Sequence, residues 1–403
     1  MERSSPASHR SPSQSAASHR PDSEAPAAAE TATSAPINAS DHNPFQERSR
    51  RGPLDGDFDR AEVRLAHRNH GMLLETLHND ITPAGAHYLL IHFDVPYVAD
   101  AGTWSLGVTG CVDRPLTLSL DDLRALPERT LPVTLECAGN GRSLAQPRWP
   151  SQPWHHEAVG TGLWTGTPLK GVLERAGLTD DAVEIAFLGA DRGFDAGLEH
   201  DYGRSLSIAR ALDDDVLLVW GMNGAPLLPQ HGFPLRLIVP GWYGMASVKW
   251  LNRIEVLDHA FDGFQQTGTY HYKTSADDPG TPVTGIRVKS LMVPPGIPDW
   301  YTRERLVEAG PVPLFGRAWV GDGIGIASVD VGIDGVWHRA ELDDAVGTYA
   351  WRGWRFTWDA APGSYELSVR ATDQAGNVQP LTTRYDRGGF GNNEVHRVAV
   401  RVR

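Results

Sequence analysis

Between Tyr365 and Thr372 the chain alternates: Tyr365, Leu367, Val369 and Ala371 are apolar, while Glu366, Ser368, Arg370 and Thr372 are polar. A period of two places each set on its own face of a strand, so GSYELSVRATD is predicted to be a strand with one buried face. Just before it, VDVGIDGVWHRAEL reads as a hairpin with Asp334-Gly335 at its tip. Short strands of this kind fill residues 271–403 and predict a β-sandwich of immunoglobulin type, without the cysteine pair of antibody domains.

Upstream the pattern is mixed. HYLLIHF (87–93), WSLGVTG (104–110), TLPVTLEC (130–137), VEIAFLGA and DVLLVWGMNGAPL read as strands, the last turning at Asn223-Gly224. FPLRLIVPGWYG and SVKWLNRIEVLD add further strand. In LTLSLDDLRALP a short helix is predicted with Ser119 as its cap. In TPLKGVLERAG the residues Leu169, Val172, Leu173 and Ala176 share one helical face, with Thr167 as N-cap, Pro168 at the first helical position and Gly177 as the stop. The fold class expected is therefore α+β: a mixed α/β domain over 56–270, then the sandwich over 271–403, joined through the polar stretch Gln265–Pro282. Residues 1–55, rich in Ser, Ala, Pro and His, are expected to be a disordered segment.

Composition narrows the function. The formal charge of −13 argues against nucleic acid as the main partner, and no apolar run reaches the roughly 18–20 residues of a membrane-spanning helix. Arg50-Arg51 is followed by GPLDGDFDRAEVR, where an export signal needs an apolar stretch, so a cytoplasmic location is expected. The two cysteines, Cys111 and Cys137, form no disulfide framework and are expected to be free.

Cys137 ends an apolar strand and enters the turn AGNGRS, which carries Arg142. A polar, glycine-rich turn lets a backbone or ligand approach closely, which distinguishes Cys137 from Cys111, a small buried hydrophobe in VTGCVDRP. Two functional readings are open for Cys137: a thiolate nucleophile activated by Arg142, or a ligand to a soft metal.

ECAGNGR resembles the CAGN.R motif of the sulfite oxidase family of molybdenum enzymes, and MNGAPLLPQHGFPLRLIVPGWYGMASVKWLNRIEV (222–256) is similar to that family's HGFP.R…VPG..G…VKW block. The resemblance extends over about residues 60–403 and implies a molybdopterin-binding domain followed by a dimerisation domain. It implies Cys137 as the single protein ligand to molybdenum, the remaining sulfur donors coming from a pterin cofactor, molybdopterin. His231, Arg236 and Lys249 match the family's cofactor-binding residues, with Ser247 in the same block and Asp201, in HDYGRSLS, in a looser match. His92 matches the histidine of the family's RNH.PVP segment. Catalytic positions follow in the same way: Arg142 in the substrate pocket, Arg352 in WRGW as the arginine offered by the second domain, Trp164 as a pocket tryptophan, and Tyr270, favoured over Tyr272, as the active-site tyrosine.

The implied activity is oxygen-atom transfer, foremost oxidation of sulfite to sulfate. The alternatives are reduction of a sulfoxide or nitrate, or a non-catalytic cofactor-binding protein. Leu90 stands where sulfite-oxidising relatives carry an arginine, which removes a positive charge from the substrate pocket. The N-terminal segment offers no counterpart to a haem domain, so electrons are expected to leave to a separate acceptor, a cytochrome or oxygen. Trp337, Trp351, Trp354 and Trp358 crowd one small β domain, and a homodimer that buries some of them is expected.

Overall fold

The computed structural model describes residues 60–403, so the expectation for the first 55 residues lies outside the described part. Two sheets frame the first half of it. One has the strand order Leu116–Ser119, Ser105–Gly110, Leu251–Leu257, Glu184–Asp195, Leu198–Ser207, antiparallel except where Ser105–Gly110 runs parallel to Leu251–Leu257. The other pairs Arg129–Glu136, Val159–Pro168 and Leu217–Met222, with Ala225–Pro226 and Arg236–Ile238 both bonded to the last of these.

Local chemistry explains the short elements. Helix Leu120–Arg124 starts in a capping box: Ser119 Oγ accepts from Asp122 N, and the Asp122 carboxylate accepts from Ser119 N. Helix Leu169–Ala176 buries the predicted face of Leu169, Val172, Leu173 and Ala176 and stops at Gly177, φ 74°. Its cap position is Pro168 and not the expected Thr167, because Thr167 is still paired with Leu218 in the sheet. Asn223-Gly224 adopts the left-handed turn expected of a two-residue hairpin, with φ of 54° and 77°.

The second half is a sandwich. A four-stranded sheet (Lys289–Met292, Gly310–Trp319, Arg352–Ala360, Glu341–Leu342) faces a six-stranded one that includes Ile326–Ile333, Gly363–Asp373 and His396–Val402. Val312, Leu314, Trp354 and Trp358 from the first meet Val329, Val331, Leu367, Val369 and Val400 from the second in one core. Of the alternation expected in Gly363–Asp373, Leu367, Val369 and Ala371 are buried and Tyr365 is half-buried, but Ser368 on the opposite face is buried too, because Val336–Arg339 pairs alongside and Trp337 packs over Gly332 opposite it.

The tryptophan surplus is absorbed within the chain. Trp354 and Trp358 fill the sandwich core, Trp351 is buried with Nε1 donating to Asp80 O at 2.7 Å, and Trp337 lies under Arg370. The crowding of aromatics is thus a packing feature and does not by itself call for a second copy. No described helix is long and apolar enough to cross a membrane.

Candidate active site

Strand Arg129–Glu136 delivers Cys137 to the floor of a cleft lined also by His92, His231, Arg236, Ser247, Lys249 and Tyr270. Seven of the residues expected at the site therefore converge from four separate stretches of sequence. Both cysteines are free, Cys137 being buried and Cys111 half-buried. Burial pushes the Cys137 thiol up, with Arg142 opposing. Beyond Cys137 the chain turns sharply: Gly141 sits at φ 84°, and a Cβ on Gly139 would lie 2.5 Å from Arg142 Nη2. That fit lets the buried guanidinium fold back over the turn, donating from Nη1 to Gln152 O (3.1 Å) and from Nε to Gly388 O (2.8 Å).

The cations sit on the opposite wall. Arg236 is 5% exposed, donates to His231 O (3.0 Å) and Ser247 O (3.1 Å), and leaves its Nε buried without a partner. Lys249 Nζ donates to Leu90 O (2.7 Å) and Gln230 O (3.1 Å). Burial and the neighbouring Arg236 lower the Lys249 ammonium to about 7, against the pull of Asp191. Burial likewise lowers His231 to about 3, so its imidazole is neutral. Two more atoms on this wall are buried and unpartnered, His87 Nε2 and Asp191 Oδ1. Arg236 Nε, an orphaned donor among cations, marks a place for an anionic group that brings its own acceptor. Asp191 Oδ1 and His87 Nε2, whose ring donates from Nδ1 to Tyr88 O, are acceptors left for a group that also carries donors.

At the mouth, His92 Nε2 and Tyr270 Oη share a hydrogen bond of 2.8 Å. His92 is exposed at the mouth, but packing around its ring, with Lys249 and Arg142 adding to it, lowers its imidazole below the ordinary value, and burial raises Tyr270 above its own. The pair therefore stays neutral. Tyr270 occupies the left-handed region at φ 53°, a strained backbone for a bulky residue that the surrounding packing must hold. Tyr272 lies under Arg287, 4.2 Å from its ring centre, and Tyr270 is the one of the two that lines the cleft.

Four expected positions do not line the cleft: Arg142, buried beside it with its guanidinium held by Gln152 O and Gly388 O, and three that fall elsewhere. Asp201 is half-buried on a strand edge, paired with Arg192 (2.7 Å) and Arg253 (3.4 Å); the aspartate that lines the cleft is Asp191, whose carboxyl burial raises to about 7. Trp164 is fully buried behind the cleft, its Nε1 donating to Val133 O and its face 4.8 Å from the Arg236 guanidinium, so it backs a cation and does not line the site. Trp154 and Trp164 both pack in the apolar cluster that holds Cys137, and the buried Nε1 of Trp154 is the one that stands beside its thiol. Arg352 is occupied inside the second domain, donating to Asp343 O (2.7 Å) and Ile326 O (3.3 Å). What the second domain brings to Arg142 is the loop 386–392: Gly388 O takes its Nε, and Phe390 packs 5.2 Å from both the guanidinium and the Tyr270 ring. His87, Tyr202 and Leu90 are also part of the lining. Asp191 had one available signal, a lone acid ending the apolar run AFLGA; the loop 386–392 had none, because its place depends on how the halves pack.

Among the described residues no three or more His, Cys, Asp or Glu side chains stand together as a metal-binding group. A metal held at Cys137 takes its further donors from outside the chain. The residues present suit such a group: one buried soft donor, cations on the facing wall, and unsatisfied buried polar atoms between them.

Comparison with known proteins points the same way. Residues 92–265 match the family described as the oxidoreductase molybdopterin binding domain, and residues 284–403 the Mo-co oxidoreductase dimerisation domain. The chain is 34% identical over 346 residues to the mitochondrial sulfite oxidase of Mus musculus, covering 80% of this chain and 62% of that protein. It is 33% identical over 361 residues to nitrate reductase (NADH) 1 of Oryza sativa subsp. japonica, covering 81% and 38% respectively. The crystal structure of the sulfane dehydrogenase SoxCD from Paracoccus pantotrophus superposes with a TM-score of 0.69 at 26% identity over 80% of this chain and 83% of that one. The chain thus spans about 62% of the length of the sulfite oxidases it matches.

Proposed function

Because this chain belongs to the sulfite oxidase family of molybdopterin-dependent oxidoreductases, we propose that it catalyses oxygen-atom transfer, foremost the oxidation of sulfite to sulfate. The observation that carries this reading is the cleft itself, whose lining brings the Cys137 thiol together with Arg236, Lys249 and His231 and with unpartnered buried atoms of Arg236, His87 and Asp191. When bound, a molybdenum–pterin group supplies a soft, two-electron redox centre.

The chain supplies the rest. Cys137 ligates the metal; Arg236, Lys249 and His231 bind the anionic end of the cofactor, and Ser247 O and His231 O hold the Arg236 guanidinium in place. Asp191 takes the cofactor-facing place first expected of Asp201. Arg142 presents a buried positive charge to an anionic substrate, backed by the Gly388 carbonyl. The His92–Tyr270 pair stays neutral and offers a hydrogen bond at the mouth. A homodimer through residues 284–403 and a separate electron acceptor complete the proposal.

A second reading rests on Leu90, which lines the cleft with an apolar side chain and favours a substrate of lower charge, reduced in the opposite direction, such as a sulfoxide. The test is metal and pterin analysis of the protein from a host that makes the cofactor, followed by assays with sulfite plus ferricyanide and with sulfoxide or nitrate plus reduced viologen. Stoichiometric molybdenum and sulfite-dependent ferricyanide reduction are expected; a protein free of molybdenum and pterin rules the proposal out, and viologen oxidation alone reverses its direction.

Arg236→Gln is a companion prediction. Hydrogen bonds to a charged group contribute about 2–3 kcal/mol, so cofactor affinity is expected to fall roughly 30–100-fold. Pterin retained per chain after gel filtration measures it, and undiminished retention assigns Arg236 to structure alone.

A further inference from the structure

Beneath the turn that carries Cys137 lies a buried charge pair with no place in the chemistry above. Glu136, the residue before Cys137, and Lys289, the first residue of strand Lys289–Met292, are each 1% exposed, and their charged ends are 3.1 Å apart. Both carboxylate oxygens are held: Oε1 accepts from Lys289 Nζ and from Asn140 Nδ2 (2.9 Å), and Oε2 from Trp319 Nε1 (2.8 Å). Lys289 Nζ also donates to Asn392 O (2.9 Å), and Asn392 Nδ2 donates to Gly141 O (2.8 Å). Gly391 N donates to Ala138 O (2.7 Å). The bonds close a ring whose one side is the Cys137–Arg142 turn and whose other side is the loop 386–392.

Burying two charges is costly, and such a pair contributes little net stability compared with apolar residues of the same size. What it contributes is geometry, since a carboxylate held by three donors from three directions has little freedom to move. We propose that Glu136 and Lys289 are positioning residues: the pair fixes the register of the Cys137–Arg142 turn against loop 386–392, so that the second half of the chain sets where the thiol and the Arg142 guanidinium stand. The inference rests on the reading of Cys137 as the cofactor-facing thiol, but it is tested without the metal.

The experiment alkylates the metal-free full chain with iodoacetamide and follows Cys137 against Cys111, the internal reference, by peptide mass spectrometry. Lys289→Met leaves the Glu136 carboxylate buried and uncompensated and is expected to raise the Cys137/Cys111 labelling ratio tenfold or more. The Glu136→Gln/Lys289→Gln double variant, with two neutral amides in place of the pair, is expected to return within twofold of the wild type. Lys289→Arg keeps the charge while changing its reach and covers the case in which Lys289→Met does not fold; it is expected to raise the ratio at least threefold. A merely structural role loosens both cysteines together, so a ratio unchanged in every folded single variant, or a double variant no better than the single, overturns the proposal. Absence of molybdenum from the wild-type holoprotein would sink the cofactor reading and leave this ratio untouched.

Discussion

Cys137→Ser is expected to lower turnover roughly a thousandfold or more, equivalent to about 4 kcal/mol of lost transition-state stabilisation, without unfolding the chain. The thiol side chain packs as a small hydrophobe among Leu135, Trp154, Val219 and Met222, and the backbone bonds of residue 137, N to Ala158 O and O from Asn140 N, are independent of it. Placing a hydroxyl there costs about 1–2 kcal/mol of stability. The loss of function follows from donor softness: a hydroxyl is a hard, poorly acidic donor where the site offers a single thiol. Three readouts taken together check it. Turnover is expected to fall as stated and the part of the sulfur-to-metal absorption that comes from the Cys137 thiolate to be lost, while pterin bound per chain stays within about twofold because Arg236 and Lys249 remain. Lost turnover with an unchanged molybdenum spectrum would instead make Cys137 a nucleophile.

Why the cysteine, the histidines and the cations could be found in the sequence, while Asp191, Trp154 and the loop 386–392 could not, has a physical reason. Cys137, His231, Arg236 and Lys249 lie in turns or short strands whose glycines and prolines give a local signature, and the cleft is built where those segments meet. Hairpins at Asn223-Gly224 and Asp334-Gly335 and the capping box at Ser119 were equally local and equally legible. HYLLIHF shows the opposite case. Its apolar run predicts a strand, yet apart from a single bridge, His70 with Leu89, it forms no ladder. Side chains from distant positions take its backbone groups instead: Asn69 Oδ1 accepts from Ile91 N, and Lys249 Nζ donates to Leu90 O. An apolar run says that a segment is buried; it does not say which partners satisfy its amides. Arg352 failed for a similar reason, since a strand-edge arginine and one at the end of a loop look alike until the halves are packed.

Acid is expected to destabilise the metal-free chain steeply between pH 7 and pH 5, by roughly 3 kcal/mol or more. Three histidines carry that figure, and His92 and His156, lowered in the same direction, add to it. Burial lowers His87 to about 4, His231 to about 3 and His396 to about 4, the last with help from Lys289. Their unfolded value is about 6.5, so below that pH the unfolded chain takes up protons which the folded imidazoles refuse. The unfolded state then binds more protons, and stability falls with falling pH, by about 2 kcal/mol per histidine at pH 5. Asp191 works in the opposite sense: burial raises its carboxyl to about 7, so the folded chain gains a proton there first and recovers about 2 kcal/mol over the same range. Lys249, lowered to about 7, exacts its penalty at higher pH, and that penalty is nearly complete by pH 7. Three terms against one leave a net loss comparable with a large part of the 5–15 kcal/mol typical of a domain. Urea unfolding at constant ionic strength from pH 7.5 to pH 5 measures the slope. His396→Gln, whose amide oxygen can still accept the Met292 N–H now bonded to His396 Nδ1 at 3.1 Å, is expected to flatten it by about 2 kcal/mol between pH 6.5 and pH 5. A profile flat in the wild type, or equally steep in the variant, would mean that these imidazoles titrate as freely folded as unfolded.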